Sequence, residues 1–120
     1  MDRIDQMLDT LREALPEITW DRDAVSEDAQ GDTGCVEMTG SRGFYCDGKL
    51  VAMAVQLDVW ICCQGSGTEI LAAVNAVMNG WADEGAFAWS MPERRYAYNI
   101  DQVIWRWHCE ADWGPEDMGE

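Results

Sequence analysis

From Lys49 to Cys63 the chain alternates without interruption: Val51, Met53, Val55, Leu57, Val59, Ile61 and Cys63 occupy every second position. A period of two belongs to an extended strand, and it places the whole set on one face. The intervening residues, Ala52, Ala54, Gln56, Asp58, Trp60 and Cys62, are small or mixed rather than uniformly polar. That composition predicts a central strand, partly covered on both sides.

Gln64-Gly-Ser-Gly-Thr68 then releases the strand and starts a helix. Ser66 stands three residues before Glu69, the spacing at which a hydroxyl and a carboxylate each satisfy an orphan backbone N–H. Ile70, Ala73, Val74, Val77, Met78 and Trp81 follow at helical spacing, one apolar stripe about three turns long. Gly80 is placed to end this helix in a left-handed conformation.

Upstream, Asp2 is positioned to cap a first helix whose stripe is Ile4, Met7, Leu8, Leu11 and Leu15, with Pro16 ending it. Ile18 and Trp20 open a short strand. Asp21 to Gly34 lacks apolar periodicity and carries Asp21, Asp23, Glu27, Asp28 and Asp32, so it reads as a long acidic loop. Cys35–Thr39 and Phe44–Cys46 read as two short strands separated by Gly40–Gly43. Asp47-Gly48 is a two-residue hairpin signal leading into the long strand.

Beyond the second helix, Asp83–Gly85 turns the chain into Ala86–Ser90, and Met91–Glu93 turns it again. Tyr98, Ile100, Val103, Trp105, Trp107 and Cys109 predict one long closing strand over about 96–111. Its apolar parity changes between Ile100 and Val103, which predicts a bulge at Asp101-Gln102. Gly114 to Glu120 is an acidic tail, expected to be flexible. The expected architecture is a single α+β domain over residues 1–113: a mainly antiparallel sheet with two helices on one face, in the order α-β-β-β-β-α-β-β.

Composition bounds the function. With 48% hydrophobic residues and seven tryptophans in 120 residues, the chain has enough apolar surface for one core. Eight Lys and Arg against 23 Asp and Glu give a net charge of −15. Phosphate contacts need positive charge, so nonspecific nucleic-acid binding and docking on an anionic membrane are disfavoured. No segment is apolar enough to span a bilayer, and the start does not read as a signal peptide. The five cysteines, 35, 46, 62, 63 and 109, show no CxxC spacing and are expected to be free thiols in a reducing cytoplasm.

Catalytic and metal motifs fare poorly. His108 is the single histidine, and its neighbour Cys109 must point to the other strand face, so the two cannot pair as a dyad. A zinc site from Cys35, Cys46, His108 and Cys109 would match no known finger, ribbon or knuckle spacing. Asp21 and Asp23 match the first ligand positions of a calcium loop. Ser26 and Asp32, however, stand where glycine and glutamate are required. Gly65-Ser-Gly67 lacks the lysine of a phosphate loop. No enzyme, cofactor or metal is therefore expected. Seven tryptophans are generous for a chain of this length, and some are expected to be buried only in an assembly. The candidate interface residues are Asp23, Glu27, Asp28, Asp32, Trp89 and Trp113.

The element order, with Val55-Gln-Leu-Asp-Val-Trp60 followed by Thr68-Glu-Ile-Leu-Ala-Ala-Val-Asn-Ala-Val-Met78, resembles the tail terminator (tail-completion, or minor capsid) proteins of long-tailed bacteriophages. Their opening helix looks like Met1 to Leu15, and their closing aromatic strand like Ile100 to Cys109. The cysteine content and the long acidic loop depart from that pattern. The resemblance implies a virion protein made in the host cytoplasm. It implies a ring, usually hexameric, that caps the tail tube and meets neck or connector proteins on its other side. DNA would pass through without specific binding, and an acidic lumen would suit that passage. The expectation is that the loop 21–34 and the acidic tail face the lumen or the neighbouring ring. Two other classes fit the same composition: an acidic DNA-mimicking inhibitor, and another neck subunit such as a head-closure or adaptor protein.

Overall fold

The computed structural model describes residues 2–23, 31–65 and 67–118. Its elements run α1 (Arg3–Ala14), β1 (Thr19–Arg22), β2 (Thr33–Cys46), β3 (Lys49–Cys63), α2 (Thr68–Asp83), β4 (Phe87–Trp89), β5 (Glu93–Ala97) and β6 (Gln102–Trp113), then a 3₁₀ turn at Pro115–Met118. The fold is α+β as expected, with six strands in one mostly antiparallel sheet and two helices on one of its faces.

The long alternating stretch is the central strand. β3 pairs with β2 on one side and with β6 on the other, both antiparallel. Its face of Val55, Leu57, Val59, Ile61 and Cys63 is buried. α1 brings Ile4, Met7, Leu8 and Leu11 to that face, and α2 brings Val74, Met78 and Trp81. Trp107 of β6 is completely enclosed there, and its indole N–H donates to Asn75 Oδ1 of α2 at 2.9 Å. A buried indole needs such a partner. β1 adds to the sheet parallel to β2. The ring of Trp20 lies over Gly34, where any Cβ would stand 2.6 Å from a ring carbon, so only glycine fits.

Several elements differ from the sequence expectations. β2 is one continuous strand of 14 residues rather than two short ones. Gly40–Gly43 does not turn the chain; a register shift between Met38 and Gly40 absorbs the irregularity as a bulge. The closing strand is instead a hairpin, β5 and β6, joined by a turn at 98–101. Asp101 adopts φ 53° in that turn, and the parity change at 101–102 marks the turn rather than a bulge. β4 and β5 pair successive stretches of β6, Cys109–Ala111 and Gln102–Arg106. They form one edge strand interrupted at Ser90–Pro92, where proline has no N–H to give the ladder.

At the start of α2 the cap is Gly67, left-handed at φ 70°, with no side-chain hydrogen bond; Ser66 lies outside the described residues. A Cβ on Gly67 would meet Trp105 Nε1 at 2.6 Å. That close approach buries this indole nitrogen, which has no hydrogen-bond partner among the described residues. Gly80 does not end α2, which runs on to Asp83; the left-handed residues are Gly85 and Ala86. Within the acidic tail, Pro115–Met118 form a 3₁₀ turn in which Asp117 accepts the N–H of Gly114 at 2.9 Å. The acidic loop is shorter than expected, because Asp21 and Arg22 belong to β1 while Thr33 and Gly34 belong to β2.

Candidate functional site: an open sheet face and two apolar ends

The sheet face away from the helices carries the polar residues of the central strands. Register places Glu37, Asp58 and His108 in one cross-strand row, with Trp60, Arg106 and Glu93 in the next. Asp58 is 2% exposed despite its charge. Nε and Nη2 of Arg106 both lie 2.6 Å from its Oδ2, and His108 Nδ1 lies 2.8 Å from its Oδ1. Because the carboxylate only accepts, the Nδ1 of His108 carries the proton. The other imidazole nitrogen, Nε2, lies 3.6 Å from Glu93. The Arg106 guanidinium stacks 4.5 Å from the centroid of Trp60, whose N–H donates to Glu37 at 3.0 Å.

This chain of contacts ties β2, β3, β6 and β5 together. Burying a carboxylate is costly unless it is paired and hydrogen-bonded, and here both oxygens are occupied. His108 therefore departs from an ordinary surface histidine: it is held by a buried carboxylate, and it lines a concavity of about 390 Å³ together with Thr39 and Ser90. Its Nε2 faces the Glu93 carboxylate. The arrangement is that of a strand-crossing lock.

Cys35 stands opposite Trp60 of this cluster in cross-strand register. Cys109 is buried on the helix face with its thiol 3.7 Å from Met78 Sδ, and Cys46 is exposed beside the Asp47-Gly48 turn. Desolvation pushes Cys109 up to about 12, reinforced by Asp58. Desolvation does the same to Cys35, reinforced by Glu37 among others. Buried in apolar surroundings, such thiols are poor nucleophiles. Among the described residues no group of three His, Cys, Asp or Glu is arranged to hold a metal ion.

The candidate interface residues are dispersed. Trp113 is 5% exposed and packs in the core, so it is not available to a partner as expected. Trp89, on the edge strand β4, is half-buried against the same core. Asp32 turns inward, accepting the N–H of Gln64 on Oδ1 at 3.2 Å and the N–H of Thr19 on its carbonyl at 3.0 Å. Asp23 is exposed at the end of β1, while Glu27 and Asp28 lie outside the described residues. Of the seven tryptophans, Trp20, Trp81, Trp107 and Trp113 are buried within the single chain. Trp60, Trp89 and Trp105 keep partial exposure.

Exposed apolar surface concentrates elsewhere, at the two ends of the sheet. At one end the β2–β3 ribbon projects beyond its neighbours, since β6 pairs β3 only from Met53 onward and β1 pairs β2 only as far as Val36. This arm, residues 43–52, exposes Phe44, Tyr45 and Val51, with Tyr45 at 69%. At the other end the β5–β6 hairpin exposes Tyr96, Tyr98 and Ile100, with Tyr98 at 87% and edge-on to Tyr96 at 4.7 Å. The molecule measures 52 × 29 × 23 Å, with a radius of gyration of 15.2 Å against about 14 Å for a compact chain of this length.

Arg42 at the base of the arm and Lys49 near its tip form no salt bridge among the described residues, and Arg42 lies 5.5 Å over the ring of Phe44. At the base of the arm is a concavity of about 650 Å³ with a floor of Gly40, Ala54 and Ala88, lined by Arg42 on one side and by Glu110 and Asp112 on the other. No helix among the described residues is long and apolar enough to cross a membrane.

The chain matches no protein-family model, and comparison with curated proteins gives no match. The class that geometry defines is an arm-bearing α+β protein with a satisfied polar lock on its open sheet face.

Proposed function

We propose that the protein is a structural subunit that assembles into a homo-oligomeric ring, working as a tail terminator or neighbouring neck component of a tailed phage. The observation that carries this reading is the pair of apolar ends, Phe44–Tyr45–Val51 and Tyr96–Tyr98–Ile100, set at opposite ends of an elongated acidic subunit. Clustered aromatics left in water mark interaction sites. Two such sites let a subunit meet its ring neighbours with one and a different assembly with the other. The resemblance in element order supplies the phage setting. The net charge of −15 suits a channel that passes DNA without gripping its phosphates.

The test is native mass and negative-stain shape of the purified chain across concentration and salt. Self-repulsion at this charge is long-ranged in dilute salt, so assembly should strengthen as ionic strength rises. A closed ring with a central hole is the expected product. A compact monomer that binds a basic host protein would instead favour the DNA-mimicking class.

A further inference from the structure

We infer that His108 is a proton-operated latch on the edge strand β5. With both ring nitrogens protonated it holds Glu93 and fastens the start of that strand; as the neutral ring it lets Glu93 go. The latch lies on the open sheet face and works in the single chain, whatever the chain assembles into.

The geometry decides what each ring nitrogen can do. Nδ1 carries a proton, because the buried Asp58 carboxylate 2.8 Å away only accepts. In the neutral ring Nε2 therefore presents a lone pair, and Oε1 of Glu93 stands 3.6 Å from it. Two acceptors facing each other repel. A second proton turns the same approach into an ion pair, with the imidazolium held between carboxylates of two different strands. The side chains of His108 and Glu93 are 42% and 54% exposed, so protons exchange with solvent and the tie is modest in strength.

The charged groups around the ring come from four strands. β3 supplies Asp58, and β2 supplies Glu37, which accepts from the Trp60 indole. β6 supplies Glu110, in the same concavity as His108, and Arg106, bound to the second oxygen of Asp58. β5 supplies Glu93 itself and Arg95, which lies with Arg106 beside Trp60. Arg106 is the rival partner: it stands opposite Glu93 in cross-strand register and can take the carboxylate that neutral His108 releases.

The latch acts where the sheet edge is weakest. Glu93 is the first residue of β5, directly after the break at Ser90–Pro92, and β5 pairs with β6 alone. All of its residues but Ala97 are exposed. A strand with so little buried surface opens locally, and a single side-chain tie changes how often it does so. The same hairpin carries Tyr96, Tyr98 and Ile100, so the proton sets the order of one apolar end of the molecule. The tie engages only while His108 is cationic and Glu93 anionic. It is lost as pH rises through the titration of His108, and again as pH falls through that of Glu93.

His108 is the single histidine, so its ring protons report its titration by NMR without ambiguity. Amide hydrogen exchange of the full chain, corrected for the intrinsic pH dependence of exchange, is followed across that titration. Protection of the Glu93–Ala97 amides should rise at least fivefold as His108 becomes charged, while that of the β3 amides stays constant. Glu93→Gln keeps the shape of the side chain and removes its charge, and should flatten the response to less than twofold. Glu110→Gln removes an equal charge from the same face and should leave the response intact. A β5 response that persists in E93Q, or that E110Q abolishes equally, would overturn the latch. So would constant protection in the wild type, or a ring that keeps one protonation state between about pH 5 and 8. The series is run at two protein concentrations; a response that scales with concentration would belong to association and would overturn it as well.

Discussion

The two halves of the β2–β3 ribbon are one continuous pair of strands with opposite fates. In the inner half, Val36 meets Val59 and Gly34 meets Ile61, with β1 and β6 on the flanks and both helices above. In the outer half, Phe44 meets Ala52 and Tyr45 meets Leu50, with no third strand paired to them among the described residues and only the 3₁₀ turn Pro115–Met118 reaching β3 after its last pair with β6. Local sequence scarcely separates them: both alternate, and both carry β-branched or aromatic residues suited to a pleated surface. What differs is the supply of covering elements. The fold of the inner half comes from its neighbours, and the outer half is left to find neighbours outside the chain.

Trp107→Ala strikes the inner half hardest. The side chain is fully enclosed and its N–H is matched to Asn75, so truncation opens a cavity and orphans an amide oxygen. A loss of about 3–5 kcal/mol in unfolding free energy is expected from urea titration. A loss below about 1 kcal/mol would mean that α2 closes on the sheet far less tightly than the contact implies.

Asp58→Ala should cost about 2–3 kcal/mol. It leaves Arg106 and His108 beside an empty position, but the Arg106 side chain is 32% exposed and partly recovers water, which keeps the loss under that of a fully buried pair. The companion D58L/R106L variant should recover most of the loss. Recovery would identify the cluster as a lock between strands; its absence would show that the charges do more than hold β3 to β6.

The sequence resolved the inner half better than the outer. The period of two placed β3 and its buried face correctly, and the helical stripes of α1 and α2 are those that meet it. Asp58 was legible as a polar residue on the opposite face. Its burial was not, because that depends on Arg106 and His108 arriving from 48 and 50 positions away. Gly40–Gly43 looked like a turn because glycines can serve either turns or bulges. The arm had a signal of its own in element lengths. A strand of 15 residues spans about 50 Å, whereas helices of 16 and 12 residues reach only about 24 and 18 Å. Two such helices, packed side by side, cannot cover both ends of that strand. The aromatics flanking Asp47-Gly48 were therefore destined to stay exposed in a single chain. Trp113 was not legible as a core residue, since size and apolarity draw tryptophan into a core as readily as to a surface.

Asp2→Ala probes the anchoring of α1 beside the inner half. Desolvation of its carboxyl opposes ionisation, but the Asp5 N–H and the Arg22 guanidinium outweigh it and hold the group below its ordinary 3.8. The Asp2 oxygens lie 2.9 Å from that N–H and 2.6 Å from Arg22 Nη1. Loss of the cap should cost about 1 kcal/mol at neutral pH. A depressed folded value means that the stabilisation is complete above the unfolded value and disappears as pH falls through the folded one. Below about pH 4 the wild-type and variant unfolding curves should therefore converge. A gap that persists undiminished into strong acid would assign the effect to packing rather than to the carboxylate.

The smallest effect on folding should come from F44S/Y45S in the outer half, and it sharpens the comparison most. These rings are 45% and 69% exposed, so each already keeps much of its contact with water, and the unfolding free energy should change by no more than about 0.5 kcal/mol. Removing the same rings should nevertheless weaken self-association by tenfold or more, measured by sedimentation velocity on the full chain. Trp107→Ala moves stability wherever the subunit stands, alone or assembled; F44S/Y45S should move assembly alone. If F44S/Y45S instead costs the isolated chain several kcal/mol, the arm folds against the body of its own chain. The contrast between the two halves of the ribbon would then fail.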